Sequence, residues 1–173
     1  MTTMFASRIS RRSLLKAAAF TITAGALTTA TAPFAKAEPG TIVGTVIDFA
    51  AGVPDAQAVK DGGFLGAVRY VSQRRPGAEW MLGKPVTRQE TDAMANLGLK
   101  TASVYQFGKE ETADWKQGAE GARVHAPQAI ELHRAAGGPT GRPIYVAIDD
   151  NPTREQYDNQ IRPYLQTFRT LLS

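Results

Sequence analysis

The stretch Gly141–Thr153, GRPIYVAIDDNPT, contains an apolar run that stops abruptly at three polar residues. The run, residues 144–148, lies between two prolines, a pattern typical of a parallel-sheet strand that is covered on both faces. It is followed directly by Asp149, Asp150 and Asn151. Because ligands bind at the carboxyl ends of parallel strands, these residues are expected at that edge of the sheet. The alternative is that the two aspartates only cap the helix that follows.

A second carboxylate, Asp48, occupies the same place on another predicted strand, residues 41–50, which is apolar until it reaches this residue. Strands that alternate with helices indicate a parallel sheet with right-handed crossovers. We therefore predict an α/β fold built from four consecutive strand–helix units. The other predicted strands are 67–72 and 100–107, and the predicted helices are 55–61, 87 to about 98, 116–136 and 153–172.

Three local signals predict where these helices begin or break. Thr87 and Glu90 have the spacing of a capping box, in which each side chain bonds to the other residue's backbone N–H. Pro127 and Pro163 lie inside predicted helices, and proline removes a hydrogen-bond donor. We expect the helix to kink or restart at Pro127 and to break at Pro163.

The first 37 residues have the features of an export signal. Residues 10–16, SRRSLLK, resemble the twin-arginine signal, and they precede a weakly apolar run at 17–32 and a small-x-small pattern at 35–37. The expected organisation is therefore a signal peptide, 1–37, followed by one domain, 38–173. The alternative is an uncleaved amphipathic anchor. The signal predicts a protein that is exported to the extracellular space or the cell wall, with the export machinery as a partner.

The positive charge of the chain comes from this leader. The whole chain has a formal charge of +4, whereas residues 38–173 carry 15 Lys and Arg against 16 Asp and Glu. No basic stripe remains in that part, so nucleic acid is not a predicted partner. The chain has no cysteine, which excludes disulfide bonds and cysteine-based metal sites.

Five short motifs, in their order along the chain, resemble one known family. They are VIDF at 46–49, AVRYV at 67–71, KPVTRQE at 84–90, SVYQ at 103–106 and PIYVAID at 143–149. Together with the leader they resemble the twin-arginine-exported, glycoside-hydrolase-like proteins of actinobacteria, relatives of the bacterial muramidases. The resemblance covers nearly all of residues 38–173. It implies parallel (β/α) units of a TIM-barrel-like glycosidase fold, with Asp48 and Asp149 at the barrel mouth.

Glycoside hydrolysis usually needs two carboxylates, one to protonate the leaving oxygen and one to activate water or attack the sugar. The catalytic candidates are Asp48, Asp149 and, in reserve, Asp150. The expected substrate-binding residues are Arg69, Tyr70, Tyr105, Gln106 and Asn151. For Arg69 the alternative is an ion pair with Asp48 or Asp149, and for Tyr105 and Gln106 it is packing at the strand end.

Aromatic and imidazole side chains add weaker candidates. Trp80 and Trp115 lie in predicted loops, where they could stack on sugar rings or form local loop cores. His125 and His133 are eight residues apart on one predicted helix, whereas metal-binding pairs on helices are usually closer in sequence. We interpret both histidines as exposed or packing residues, and we predict no metal site and no cofactor.

The sequence departs from the muramidase pattern in two respects. The pattern on the fourth strand is Asp-x-Glu, with Glu as proton donor, and Asn151 stands in the place of that Glu. A closed barrel also needs eight units and typically about 250 residues, and only about four units are found here. Two copies could pair through open sheet edges as a homodimer, the sheet could remain open, or the chain could be a shortened relative, which we favour.

Three functional hypotheses follow. The first is a secreted, cell-wall-associated, glycoside-hydrolase-like protein that hydrolyses peptidoglycan or a related glycan. The second is a non-catalytic glycan-binding or structural cell-envelope protein on the same fold, which Asn151 favours. The third is a Mg²⁺ site formed by the three aspartates for phosphoryl chemistry, and it ranks last because no phosphate-binding loop accompanies it.

Overall fold

A computed structural model describes residues 42–173, in which strands and helices alternate along the chain. The elements are β1 (Ile47–Asp48), α1 (Ala56–Asp61), β2 (Gly66–Tyr70), α2 (Arg88–Asn96), β3 (Lys100–Tyr105), α3 (Gly118–Ala135), β4 (Ile144–Val146), α4 (Arg154–Gln156) and α5 (Arg162–Leu172). Two 3-10 turns, Glu110–Thr112 and Asp114–Gln117, precede α3, and a π-helical segment, Tyr157–Ile161, joins α4 to α5. The predicted signal peptide, residues 1–37, lies outside the described residues.

The four strands form one sheet in the order β1-β2-β3-β4, and every neighbouring pair is parallel. This arrangement confirms the predicted α/β fold of consecutive strand–helix units. Its register places Asp48 beside Val68, so these two side chains lie on the same face. The carboxyl ends of the strands therefore meet along one edge, where the polar residues of the predicted site follow β1 and β4.

The two faces of the sheet differ in what covers them. Ile144, Val146 and Ile148 pack against the main core, on the face covered by helices α3 and α5. Tyr145, between them, is 59% exposed on the opposite face. Successive side chains of this strand thus alternate between the two faces of the sheet. The prediction that both faces are covered is wrong for β4, because the part of the chain that the structure describes places no helix over Tyr145.

Strand β1 is much shorter than predicted. Only Ile47 and Asp48 pair with β2, although Leu65 N–H donates to the carbonyl of Thr45 at 2.8 Å just before the paired segment. Ile42 and Val43 are 61% and 87% exposed, so apolar character alone did not bring them into the sheet. Pairing is limited because β2 itself begins at Gly66.

The start of α2 follows only half of the predicted capping box. Thr87 Oγ1 accepts a hydrogen bond from Glu90 N–H at 3.2 Å, which caps the helix as expected. The Glu90 carboxylate does not reach back to Thr87. It pairs instead with the buried guanidinium of Arg69 on β2, because that buried cation needs a counter-charge.

Neither internal proline interrupts the helix in which it lies. Helix α3 continues through Pro127, and Ala122, Ala126 and Ala129 on its inner face are fully buried, so packing holds this helix together. Pro163 does not break the last helix either. The π-helical segment Tyr157–Ile161 comes just before it and changes the hydrogen-bond pattern where proline has no N–H to donate.

The main core lies between the covered face of the sheet and helices α3 and α5. Tyr105 from β3 and Tyr164 and Phe168 from α5 are fully buried at its centre. Leu165 and Leu172 pack against this core, whereas Leu171 is 40% exposed and lies away from it. No helix within residues 42–173 is long and apolar enough to cross a membrane.

Candidate active site at the carboxyl edge of the sheet

The most defined pair in the site consists of Asp48 and Tyr70. Asp48 ends β1 and Tyr70 ends β2, on the open face of the sheet. The Tyr70 hydroxyl donates a hydrogen bond to Asp48 Oδ2 at 2.9 Å. Burial and the neighbouring Asp48 carboxylate raise the pKa of Tyr70 well above its usual range. Tyr70 is therefore a neutral hydrogen-bond donor at physiological pH, and it holds Asp48 in place.

Asp149 follows β4 at the same carboxyl edge of the sheet. Strand alternation places it on the open face with Tyr145, and its side chain is 67% exposed. Lys109 Nζ lies 3.6 Å from Asp149 Oδ2. The charge of Asp149 also contributes, after burial and Asp48, to the raised pKa of Tyr70. Asp48 at the end of β1 and Asp149 after β4 thus lie on the same face of the sheet, and the charges of both contribute to the raised pKa of Tyr70.

Asp150 has a different environment from Asp149. Its Oδ1 accepts a hydrogen bond from Glu110 N–H at 3.0 Å, and its Oδ2 accepts one from Trp115 Nε1–H at 2.7 Å. Both carboxylate oxygens are therefore engaged by the loop that follows β3. This geometry suits a residue that fixes the loop, and it does not present a free carboxyl group to the cleft.

Arg69 does not line the cleft, which corrects the expectation that it binds substrate. It is fully buried on the covered face, where its ion-pair partner is Glu90 and neither Asp48 nor Asp149. Its guanidinium also donates to the carbonyls of Phe49 and Gly83 and stacks 3.8 Å from the Phe49 ring centroid. It joins β1, β2 and α2 beneath the site.

The two candidates that end β3 also differ from expectation. Tyr105 is fully buried in the main core and forms a hydrogen bond with His125, so it does not reach the cleft. The carbonyl of Gln106 accepts hydrogen bonds from Ser72 Oγ at 2.7 Å and Lys84 Nζ at 2.6 Å. This residue therefore meets the site through its backbone. Asn151 is exposed after β4, beside the carboxylates.

Lys84 also belongs to the site, although no role was predicted for it from the sequence. It is only 3% exposed, and its Nζ lies 4.4 Å from the centroid of the Tyr70 ring. Burial lowers its pKa to about 8, with Arg75 as the next cause, against the opposing effect of Asp114 and Asp48. A single lysine within the otherwise uncharged stretch 80–86, WMLGKPV, is the signal that could have indicated it.

The two tryptophans differ in their exposure to solvent. Trp115 is 3% exposed and belongs to the main core, whereas Trp80 is 56% exposed on the loop after β2. Both histidines are packing residues, as interpreted from the sequence: His125 bonds to Tyr105, and His133 Nδ1 lies 2.8 Å from Ser103 Oγ. Residues 42–173 contain no group of three or more His, Cys, Asp or Glu side chains that could hold a metal ion.

The site therefore brings together two accessible carboxylates, a neutral phenol and a buried ammonium group. Carboxylates in this setting can transfer protons or stabilise positive charge, and the phenol can donate a hydrogen bond to a carboxylate or a ligand oxygen. The arrangement is suited to a polar, hydroxyl-rich ligand.

Comparison with known proteins places this geometry in a family. Residues 57–173 match the family model described as the Rv2525c-like, glycoside hydrolase-like domain. A curated relative from Mycobacterium tuberculosis (strain ATCC 25618 / H37Rv), named "Putative peptidoglycan hydrolase Rv2525c", is 48% identical over 166 residues. That match covers 95% of this chain and 69% of the relative.

Solved structures agree with this assignment. Two crystal structures of the M. tuberculosis Tat-secreted protein Rv2525c, in complex with L-tartrate and with HEPES, superpose with TM-scores of 0.74 and 0.73 at 52% identity. Each match covers 75% of this chain and 64% of the solved chain, so the chain spans less than two thirds of those structures. The parallel strand–helix units are those of a partial TIM-barrel-like glycosidase fold, and the chain belongs to the Rv2525c-like, glycoside hydrolase-like domain family.

Proposed function

We propose that this protein is an exported, glycoside-hydrolase-like protein that acts on peptidoglycan or a related cell-wall glycan. The observation that carries the proposal is that Asp48, which accepts a hydrogen bond from Tyr70, and the exposed Asp149 lie on the same face at the carboxyl edge of the sheet. Paired carboxylates across a cleft are the usual apparatus of glycoside hydrolysis. The family membership and the name of the M. tuberculosis relative support the same substrate class.

In this proposal the two carboxylates divide the chemistry. Asp48, which accepts a hydrogen bond from the neutral phenol of Tyr70, acts in its ionised form, as base or nucleophile. Asp149, at the exposed side of the cleft, protonates the leaving oxygen. Tyr70 and Asn151 bind sugar hydroxyl groups. Asp150 supports the site by holding the loop after β3 in place.

A second candidate function is glycan binding without turnover. Two observations favour it: Asn151 replaces the carboxylic acid of the muramidase pattern, and Asp149 is largely exposed with Lys109 beside it. A proton donor is normally tuned by burial or by a neighbouring carboxylate, whereas the Asp149 side chain is 67% exposed and lies beside the cation Lys109. Such a site can still bind a glycan through hydrogen bonds.

The test separates turnover from binding. The full chain and its Asp48→Asn and Asp149→Asn variants are incubated with purified peptidoglycan, and released reducing ends and bound protein are both measured. We expect each variant to lose activity by about 100-fold or more, since each removes an acid–base group. The control is Asp61→Asn, which changes an exposed carboxylate of α1 away from the site.

Each outcome of this test decides between the candidates. Binding without turnover by the wild-type chain, with binding lost in Asp48→Asn, supports the second function. Turnover by Asp48→Asn at the wild-type rate would overturn the first function. Neither binding nor turnover by the wild-type chain would overturn both.

The leader and the sheet edges add two partners to the proposal. Residues 1–37 direct export by the twin-arginine pathway to the extracellular space or cell wall, in line with the Tat-secreted relative.

Two copies of the chain pair along β4, beside which a groove of about 480 Å³ is lined by Ile144, Val146, Leu165 and Phe168. Light scattering on the full chain tests the pairing, and a monomer at micromolar concentration would contradict it.

A further inference from the structure

Lys84 is held unusually far from solvent for a lysine. It is 3% exposed, whereas lysine is almost never fully buried unless it is paired. Its backbone is fixed on both sides: Lys84 N–H donates to the carbonyl of Met81 at 3.1 Å, and its own carbonyl accepts from Arg74 Nε at 3.0 Å. The side chain therefore enters the site from a backbone position that is held by hydrogen bonds.

The ammonium group of Lys84 contacts two strands at their carboxyl ends. Its Nζ donates to the carbonyl of Gln106, which follows β3, at 2.6 Å. The same Nζ lies 4.4 Å from the ring centroid of Tyr70, which ends β2, at a distance suited to a cation–π interaction. The hydroxyl at the far end of that ring donates to Asp48.

These contacts form a continuous connection from Lys84 through Tyr70 to Asp48. A cation against the ring limits the tilt of Tyr70, and the tilt determines whether the hydroxyl reaches Asp48 Oδ2. The carbonyl of Gln106 is the fixed point of the connection, because Ser72 Oγ also donates to it, at 2.7 Å. Lys84 is thus placed to act on Asp48 without contacting it.

We propose that Lys84 is a positioning residue, whose charged ammonium group holds the Tyr70 ring so that its hydroxyl donates to Asp48. The proposal rests on the proposed function, because Asp48 is the carboxylate that would act on the glycan.

Burial and the neighbouring charges set the pKa of Lys84, so its protonation state can be varied by pH to test the proposal. Arg75 and Arg69 oppose the ammonium charge, Asp114 and Asp48 favour it, and burial opposes it most strongly, which brings the pKa of Lys84 to about 8. The amine is mostly charged at pH 7 and mostly neutral at pH 9. The phenol of Tyr70 stays neutral over this range because its pKa is raised.

The experiment follows the Tyr70 ring by NMR in the full chain labelled with ¹³C-tyrosine, from pH 6.5 to 9.5. Comparison with Tyr70→Phe assigns the resonance. We expect the Tyr70 resonance to move with a midpoint near pH 8 in the wild type, because the cation beside the ring is lost there. This step should be absent in Lys84→Met. It should remain in Lys100→Met, which removes an exposed lysine at the opposite end of β3.

Lys84→Arg provides the second variant, since a guanidinium stays charged throughout this range. We expect it to fold, to show no step near pH 8, and to keep glycan turnover above pH 8 where the wild type declines. In Lys84→Met, kcat should fall about tenfold or more with little change in KM. If Lys84 had only a structural role, Lys84→Met would lower the unfolding temperature without shifting the pH dependence of glycan turnover.

Two results would overturn the proposal: a Tyr70 resonance that does not move between pH 6.5 and 9.5 in the wild type, or an identical step in Lys84→Met. Neither measurement uses a glycan. A wild-type chain without turnover would therefore remove the proposed hydrolysis and leave the link between Lys84 and Tyr70 to be decided by the NMR titration.

Discussion

At the scale of single residues, Asp150 and Asp149 are adjacent carboxylates with opposite surroundings. Asp150 accepts hydrogen bonds at both oxygens from the loop after β3, and Asp149 is exposed beside Lys109. Hydrogen bonds to an ionised group are worth about 1.5–3 kcal/mol each, whereas an exposed ion pair contributes at most about 1 kcal/mol. The carboxylate of Asp150 therefore stabilises the loop, whereas the carboxylate of Asp149 is accessible to a ligand.

We predict that Asp150→Asn lowers the free energy of unfolding by about 1–3 kcal/mol, because its NH₂ group replaces one accepting oxygen and leaves either Glu110 N–H or Trp115 Nε1–H without its acceptor. Urea unfolding, followed by tryptophan fluorescence, measures the change. The matched control, Asp149→Asn, should stay within about 0.5 kcal/mol of the wild type. Equal losses in the two variants would contradict the assignment of Asp150 to the loop.

Some of these residues could be assigned from the sequence and others could not. Arg69 and Tyr70 are consecutive on β2, so their side chains point to opposite faces, and only one of them can reach the cleft. Tyr105 and Gln106 are also consecutive, so their side chains likewise point to opposite faces of the sheet. Sequence alone does not say which face is open. The partner of Arg69, Glu90, is set by the packing of α2, and that packing is a tertiary contact.

At the scale of secondary-structure elements, the sheet depends on a close approach between β2 and β3. Gly66, the first residue of β2, has φ +150°, and a Cβ atom there would lie 1.8 Å from the carbonyl oxygen of Lys100. Lys100 is its partner in the parallel register. Only glycine can occupy this position while the two strands begin their pairing together.

We predict that Gly66→Ala lowers the free energy of unfolding by more than about 2 kcal/mol, since the added methyl group forces β2 and β3 apart. Thermal unfolding monitored by circular dichroism measures it. Gly52→Ala is the control, because a Cβ at Gly52 meets no atom within 4 Å. A similar unfolding temperature for both variants would show that the strand contact is not limiting.

The elements were predicted well where local signals agreed with packing. Asp55 caps α1 through hydrogen bonds from Gln57 and Ala58 N–H, and Thr87 caps α2, as their sequences indicate. The signals misled where packing outweighed them. Pro127 is tolerated inside α3 because the inner face of that helix is buried, and residues 42–46 remain outside the sheet because β2 offers them no partner.

At the scale of the whole molecule, three of the five tyrosines have a raised pKa. Burial is the main cause for Tyr70, Tyr105 and Tyr164, and the charge of Asp48 or Asp114 adds to it. In the unfolded chain these phenols ionise near pH 10. The folded state therefore binds more protons than the unfolded state above that pH, and it loses stability as the pH rises.

We predict that the free energy of unfolding falls steeply above about pH 10, with tyrosinate absorbance growing in two stages. The second stage should coincide with loss of the circular dichroism signal. Lys84 acts in the opposite sense, because its pKa of about 8 lies below its unfolded value of 10.5, and it adds stability as the pH rises between the two. Ionisation of all five tyrosines in one stage, without unfolding, would contradict this.

The overall class of the protein was accessible from sequence because it rests on repeated patterns and on motifs in a fixed order. The alternation of strands and helices predicted the parallel sheet, and the five motifs in their order, together with the leader, predicted the family. The open face was not predicted. An apolar run such as residues 144–148 has the same sequence pattern whether one or both faces of the strand are covered. The exposure of Tyr145 shows that one face of this strand is uncovered.

The order of the strands has a consequence for biosynthesis. Within residues 42–173 each strand pairs with the strand made just before it, so the sheet grows in the same direction as translation. The longest connection between paired neighbours, from β3 to β4, contains α3, which can form locally while the chain is still being extended. A nascent chain can thus add one strand–helix unit at a time, and each new strand closes a loop only to the unit that was made just before it.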